Sequence, residues 1–278
     1  PQDLTINAGT GNVTFTGVVG EDDIVNVAAT VNTPAVIKNG ALGNVIINSA
    51  GETKFVSTVD AASLMTDVDT VNIDVNAVTN KVTIQGGRIT TTGEQHYAEL
   101  VVLDNAQQLT VLNTTNSNVT FDKAIVNADS NLAQDLTINA GTGNVTFTGA
   151  VGEDSNSVNG ALGHVVINSA GETKFVSPVD AASLKTDVDT AHVNVNALTN
   201  RVTIQGGRIT TTGEQHYAEL VVLDNALHAT VLNTADSPLT FDKAIVNASS
   251  LAQDLTINAG TGHVTFTGVV GELINHGA

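Results

Sequence analysis

The chain has no cysteine and no tryptophan, which removes disulfides, thiolate metal sites and indole stacking platforms from consideration. Aromatic residues make up only 3%, so a core must be assembled from Val, Ile, Leu and Ala. Cationic residues are scarce: 10 Lys and Arg stand against 28 Asp and Glu, leaving a net charge of −18. Such a surface repels phosphate backbones and anionic lipid headgroups, which argues against nucleic acid as a partner and against membrane insertion. No apolar run approaches the roughly 18 residues a spanning helix needs. No leader is visible and the chain starts at Pro1 rather than Met, which reads as a processed product or an excerpt. At 41% hydrophobic the composition still supports folding, and its wealth of Thr, Asn, Val and Gly is that of strands and turns.

What the chain has is repetition. The stretch QDLTINAGTGNVTFTG-x-VG occurs at 2–20, 134–152 and 253–271, and the third copy changes only the Asn at 12 and 144 to His263 within that frame. Leu4-Thr5-Ile6 alternates as a half-buried strand does, Asn7 to Asn12 is a corner rich in residues that accept positive φ, and Val13-Thr14-Phe15 begins a second strand. Residues 40–106 match 160–226 at 57 of 67 positions, giving a long repeat of about 120 residues, here 2–133, 134–252 and a partial 253–271. Residues 21–39 have a counterpart of only 153–159, and a length change of that kind marks a surface insertion, a loop or a side hairpin.

A shorter unit lies inside the long one. A corner Asn precedes a large apolar residue by seven or eight positions at Asn7/Phe15, Asn48/Phe55, Asn76/Ile84, Asn113/Phe121, Asn139/Phe147, Asn168/Phe175, Asn196/Ile204, Asn233/Phe241 and Asn258/Phe266. All seven phenylalanines occupy this place. The spacing predicts an all-β parallel β-helix (β-solenoid) of stacked rungs, one elongated domain over 1–278, with Phe or Ile at one site forming an internal stack and corner Asn forming an amide ladder. An antiparallel sandwich fits less well, because hairpin dipeptides between paired strands are scarce.

The phrases GNVTFTGAVG, NSAGETKF, VDAASL, GGRITTTGEQHYAE and LTFDKAIVNA resemble the repeats of very large bacterial beta-strand-repeat exoproteins. These are similar to filamentous-haemagglutinin-type two-partner-secretion adhesins and autotransporter passengers. The resemblance covers nearly the whole chain outside 21–39. It implies a parallel β-helix, secretion to the bacterial cell surface or beyond it, and a role in adhesion, biofilm or surface fibres.

Candidate chemistry is sparse. Gly93-Glu94-Gln95-His96-Tyr97-Ala98-Glu99, repeated at 213–219, puts Glu94 and His96 on one side of a strand. A carbohydrate-active enzyme would need Glu94, His96 and Glu99 to line a groove; the plainer reading is a solvent-facing turn. Asp67 and Asp69, with Asp187 and Asp189 in the other copy, alternate as calcium ligands can, although a solvated acidic face, like Glu21-Asp22-Asp23, has the same pattern. Thr90-Thr91-Thr92 and Thr210-Thr211-Thr212 lack the repetition in every unit that a flat threonine array requires. Asn-X-Ser/Thr triplets at Asn12, Asn113, Asn118, Asn144 and Asn247 are what chance supplies in this composition. No catalytic residue and no cofactor are expected. The expected role is a structural exoprotein that associates end to end, because the chain begins and ends in the same unit and open strand edges template further strands. The alternative is a module binding calcium, or a host or matrix glycan or protein, along one face. Position 65/185 (Met65, Lys185) and position 58/178 (Thr58, Pro178) should face outward, since they differ in character between the copies.

Overall fold

A computed structural model describes residues 1–20, 23–30, 33–38, 40–68, 79–152, 160–188, 199–227 and 229–273. Among them there is no helix. Parallel pairs build a 22-stranded and a 5-stranded sheet, and a separate two-stranded sheet holds Asp23–Thr30 antiparallel to Thr33–Lys38.

The pairings resolve into three long ladders. In the first, Ile6 pairs with Ile47, and the series continues through Thr66, Tyr97, Phe121, Phe147, Phe175, Ile204, Leu223 and Asn247 to Leu273. The second runs Phe15, Phe55, Ile84, Leu103 and Asn127. Its neighbouring register carries it on from Val101 through Ile125, Val151, Val179, Ile209 and Leu232 to Ile257. The third runs Val19, Val59, Ile89, Leu112, Ile138, Ile167, Thr186, Tyr217, Phe241 and Phe266. Following the chain from Ile6 to Phe15, Val19, Ile47, Phe55 and Val59 visits the ladders in the order first, second, third, and later segments keep that order. Some strands serve two ladders: Val59–Thr66 pairs through Val59 and Ala61 with one partner strand and through Leu64 and Thr66 with the next.

The reason for these strands is the alternation read in the sequence. In Asp135–Gly141 the Leu136, Ile138 and Ala140 side chains are fully buried, while Asp135, Thr137 and Asn139 are half-buried. One apolar cluster collects such residues from all three ladders, from Val13 to Ile245. Corners close tightly. Gly141 and Gly152 take φ of 62° and 96°, a region that costs a residue with a Cβ about 1–2 kcal/mol. At Gly152 a Cβ would also collide with the Asp180 carbonyl.

The phenylalanines stack, but not in one column. Phe15 lies on Phe55 at 5.4 Å; Tyr97, Phe121, Phe147 and Phe175 follow one another at 5.0–5.3 Å; Tyr217, Phe241 and Phe266 do so at 5.2–5.3 Å. These are the second, first and third ladders respectively. The corner amides divide in the same way. Asn48 donates to Asn7 (2.9 Å), Asn168 to Asn139 and Asn139 to Asn113 (both 2.8 Å), and Asn258 to Asn233 (2.8 Å). Asn76 and Asn196 lie outside the described residues. The single expected column is therefore three, and the cause is arithmetic. Fourteen paired segments, from that of Ile6 to that of Ile125, precede the second copy at Ile138, and fourteen is not a multiple of three. The copies at Ile6, Ile138 and Ile257 consequently fall on the first, third and second ladders.

Candidate functional site

The Glu94-His96-Glu99 group is taken apart by the pleat and the corner that follows it. Glu94 is exposed, and His96 on the strand Gln95–Tyr97 turns outward to place Nε2 2.9 Å from Asp122 Oδ2 on the adjacent strand segment. Glu99 lies beyond Tyr97 and turns inward, 3% exposed. The second copy repeats this, with His216 Nε2 2.8 Å from Asp242 Oδ2 and Glu219 3% exposed. Lys185 there forms an ion pair with Glu214, where the first copy has Met65. Met65, Lys185, Thr58 and Pro178 are all partly exposed. The three groups therefore do not line one groove. Thr91 is buried and Thr92 exposed, so these threonines present no flat array.

The residues that do converge are Glu99, Thr66, Asp67 and Asn80. Thr66 ends the strand Val59–Thr66, and Asp67 turns the chain with φ of 52°. The chain returns at Asn80, immediately before Lys81–Ile84. Asn80 Nδ2 donates to Asp67 Oδ2 at 2.7 Å, which draws these two residues together as a neck. Because Thr66 pairs with Tyr97, the next corner lies against this neck, and Thr66 Oγ1 donates to Glu99 Oε2 at 3.0 Å. Asp67 is 1% exposed and Asn80 4%. The copy at Thr186, Asp187, Asn200 and Glu219 keeps both distances, 2.7 and 3.0 Å. Burial drives the Glu99 carboxyl up to about 8, and the nearby Asp67 carboxylate pushes the same way against the Thr66 hydrogen bond. Glu219 is likewise raised to about 8, by burial and then by Asp187. Tyr97, buried beside Glu99, is raised by burial and then by the Glu99 charge; its hydroxyl donates to Gln95 Oε1 at 3.0 Å.

Of the four aspartates singled out from sequence, Asp67 and Asp187 belong to these necks. Asp69 and Asp189 lie outside the described residues, as do Glu21 and Asp22. Among the described residues no three His, Cys, Asp or Glu side chains converge. Sequence reasoning overlooked Asn80, Asn200 and the inward turn of Glu99. A signal existed: both copies keep Thr, Asp, Asn and Glu unchanged at these places while residues 71–74 differ at every position from 191–194.

A shallow groove of about 300 Å³ crosses the outside of the second ladder, with Glu52, Lys54, Lys81 and Asp104 around Val102 and Val126. Glu172, Lys174, Arg201, Asp224 and Val222 line its counterpart. There, burial pushes the Glu172 carboxyl up, but hydrogen bonds from Thr203 (2.5 Å) and Arg201 (3.0 Å), with the Arg201 and Lys174 charges, outweigh it and leave it below the usual range. Neither groove carries an aromatic lining residue on which a sugar ring could stack. Comparisons with protein-family models, with curated proteins and with solved structures return no match.

Proposed function

We propose that the chain is a non-enzymatic structural exoprotein: a three-faced parallel β-solenoid segment of a bacterial surface adhesin or extracellular fibre, associating end to end. The observation that carries this reading is the three uninterrupted ladders visited in constant order, because a chain that coils around one apolar cluster produces that order. Among the described residues, each ladder ends in a segment that has no further pairing partner. Leu4–Gly9 and Val13–Phe15 bound one end of the described ladders, and Asp254–Asn258 and Val264–Phe266 lie at the other. Val264, Phe266, Val269 and Val270 are 38–56% exposed there. In the middle copy the identical edge is covered by Leu162–Ser169 and Glu172–Phe175. An edge with the same side chains and unpaired amides accepts another such unit, and a second copy of this chain supplies one. The separation of Glu94, His96 and Glu99 supports the absence of catalysis. The acidic surface is consistent with a partner other than nucleic acid, and the resemblance of the repeats supports secretion to the cell surface.

The test is electron microscopy of the purified chain, fresh and after days at high concentration, with calcium and with chelator. Uniform filaments whose axial repeat is a whole number of strand spacings of about 4.8 Å are expected. Isolated short rods under every condition would overturn the filament reading.

A further inference from the structure

Resting on that reading, and adding to it how two copies meet, we infer that the unit at 253–271 seats the unit at 2–20 of a second copy, like residue on like residue, and that each copy is turned by one face relative to the last. The two units differ only at Asn12 and His263. This register sets Leu4, Ile6, Phe15 and Val19 of the second copy on Leu255, Ile257, Phe266 and Val270. The chain already makes the same packing internally. Val119-Thr120-Phe121 pairs in parallel with the identical Val145-Thr146-Phe147, their rings 5.0 Å apart and 4° from parallel. The strands before them align in the same step, Leu112 with Ile138 and Asn113 with Asn139.

The corner amides fix the direction of the contact. In each described pair the later Asn donates to the earlier: Asn48 to Asn7, Asn139 to Asn113, Asn168 to Asn139 and Asn258 to Asn233. Among the described residues, Asn7 therefore only accepts in this series and Asn258 only donates. The unused donor, Asn7 Nδ2, and the unused acceptor, Asn258 Oδ1, stand at equivalent places on the two edges, so Asn7 of a second copy continues the series in the same sense. Two like ends would set donor against donor or acceptor against acceptor. The aromatic columns end in the same complementary way. Phe15 has only Phe55 beside it and Phe266 only Phe241, and the junction joins these columns while covering Val264, Phe266 and Val270. Such a contact is heterologous and does not close. The rotation follows from the number of segments. From Ile6 to Leu273 the three ladders hold eleven, ten and ten, a total one greater than a multiple of three. Ile6 of the second copy, seated on Ile257, thus enters on the second ladder instead of the first. Each copy advances by about 50 Å, at about 4.8 Å per rung, and by roughly a third of a turn before any twist of the coil itself.

The absence of cysteine makes the register testable in the full chain. Thr5 and Thr256 are exposed on their strands and become neighbours across the junction. Parallel neighbours about 4.8 Å apart fall within the roughly 4.4–6.8 Å between Cα atoms that a disulfide spans. The variant Thr5→Cys with Thr256→Cys, assembled under reducing conditions and then oxidised, should yield a ladder of multimers whose peptide map joins positions 5 and 256. Either substitution alone should stop at dimers. Thr5→Cys with Thr265→Cys, which stands one face away, should leave the filaments unlinked. Equal Tm of the reduced variants and the parent shows that the edge substitutions spare the fold. Helical reconstruction of unsubstituted filaments supplies a readout free of any substitution, with a rise of about 50 Å and about a third of a turn per chain expected. Filaments with another rise or rotation, or filaments that link through positions 5 and 265 or not at all, overturn this register and leave the fibre reading standing. Rods that neither assemble nor cross-link overturn both.

Discussion

The middle and last copies of the repeated unit have nearly the same sequence and different environments. In the middle copy Val145 and Phe147 are buried, Phe147 to 1%, between Phe121 and Phe175. In the last copy Val264 and Phe266 are exposed to 38% and 44%, and Phe266 touches only Phe241 among the rings. Leu136 and Ile138 are fully buried; Leu255 and Ile257 are only packed against the cluster's edge. Burial is thus conferred by the neighbouring segments, as expected of a quasi-one-dimensional array whose stability is a sum of unit and interface contributions.

The sharpest way to break this comparison is to delete the same ring from each copy. Phe147→Ala should cost about 3–5 kcal/mol in denaturant unfolding, whereas Phe266→Ala should cost less than about half of that. Equal losses would mean that the last copy is covered in solution, which end-to-end association at the concentration used would produce and dilution would reverse.

The carboxyls at the necks provide the next effect. Glu99 and Glu219 keep their protons in the fold up to about pH 8, whereas the unfolded chain releases them near 4.5. Their contribution is therefore complete below about pH 4.5 and is lost progressively as pH rises to about 8, at up to about 1.4 kcal/mol per pH unit for each group. Stability measured across that window should fall less steeply in the Glu99→Gln, Glu219→Gln variant than in the parent; identical slopes would show that these groups do not titrate as their burial requires.

Glycine gives a third contrast. Gly152→Ala forces a Cβ into the Asp180 carbonyl at φ of 96° and should destabilise by more than about 2 kcal/mol. Gly271, at φ of 89°, has open space around the same position, so Gly271→Ala should cost about 1 kcal/mol, the conformational penalty alone. Smallest is the amide ladder. Asn139 both donates to Asn113 and accepts from Asn168, and Asn139→Ala should cost about 1–2 kcal/mol; Asn258, which donates once to Asn233, should cost about 0.5–1 kcal/mol.

Much of the fold is legible in the residues. The alternation in Asp135–Gly141, the recurrence of Phe after a corner Asn and the near-identity of 40–106 with 160–226 specify β-strands that pair in parallel with like residues aligned. Those patterns are local, and the backbone geometry of a strand and a corner follows from them wherever the unit sits. The candidate site was only half legible. Asp67 stood out as an acidic residue, but its partners are 13 and 32 positions away, and nothing local says that Glu99 turns inward where His96, three residues earlier, turns out.

The sequence by itself determined that this chain forms repeated β-segments with an apolar and a polar side, because side-chain period and turn chemistry are properties of neighbours along the chain. Only the tertiary structure decided which ladder each copy joins, how deeply each phenylalanine is buried, and that Asp67, Asn80 and Glu99 meet. Those outcomes depend on how many segments intervene before the chain returns to the same ladder, which is a property of the whole path.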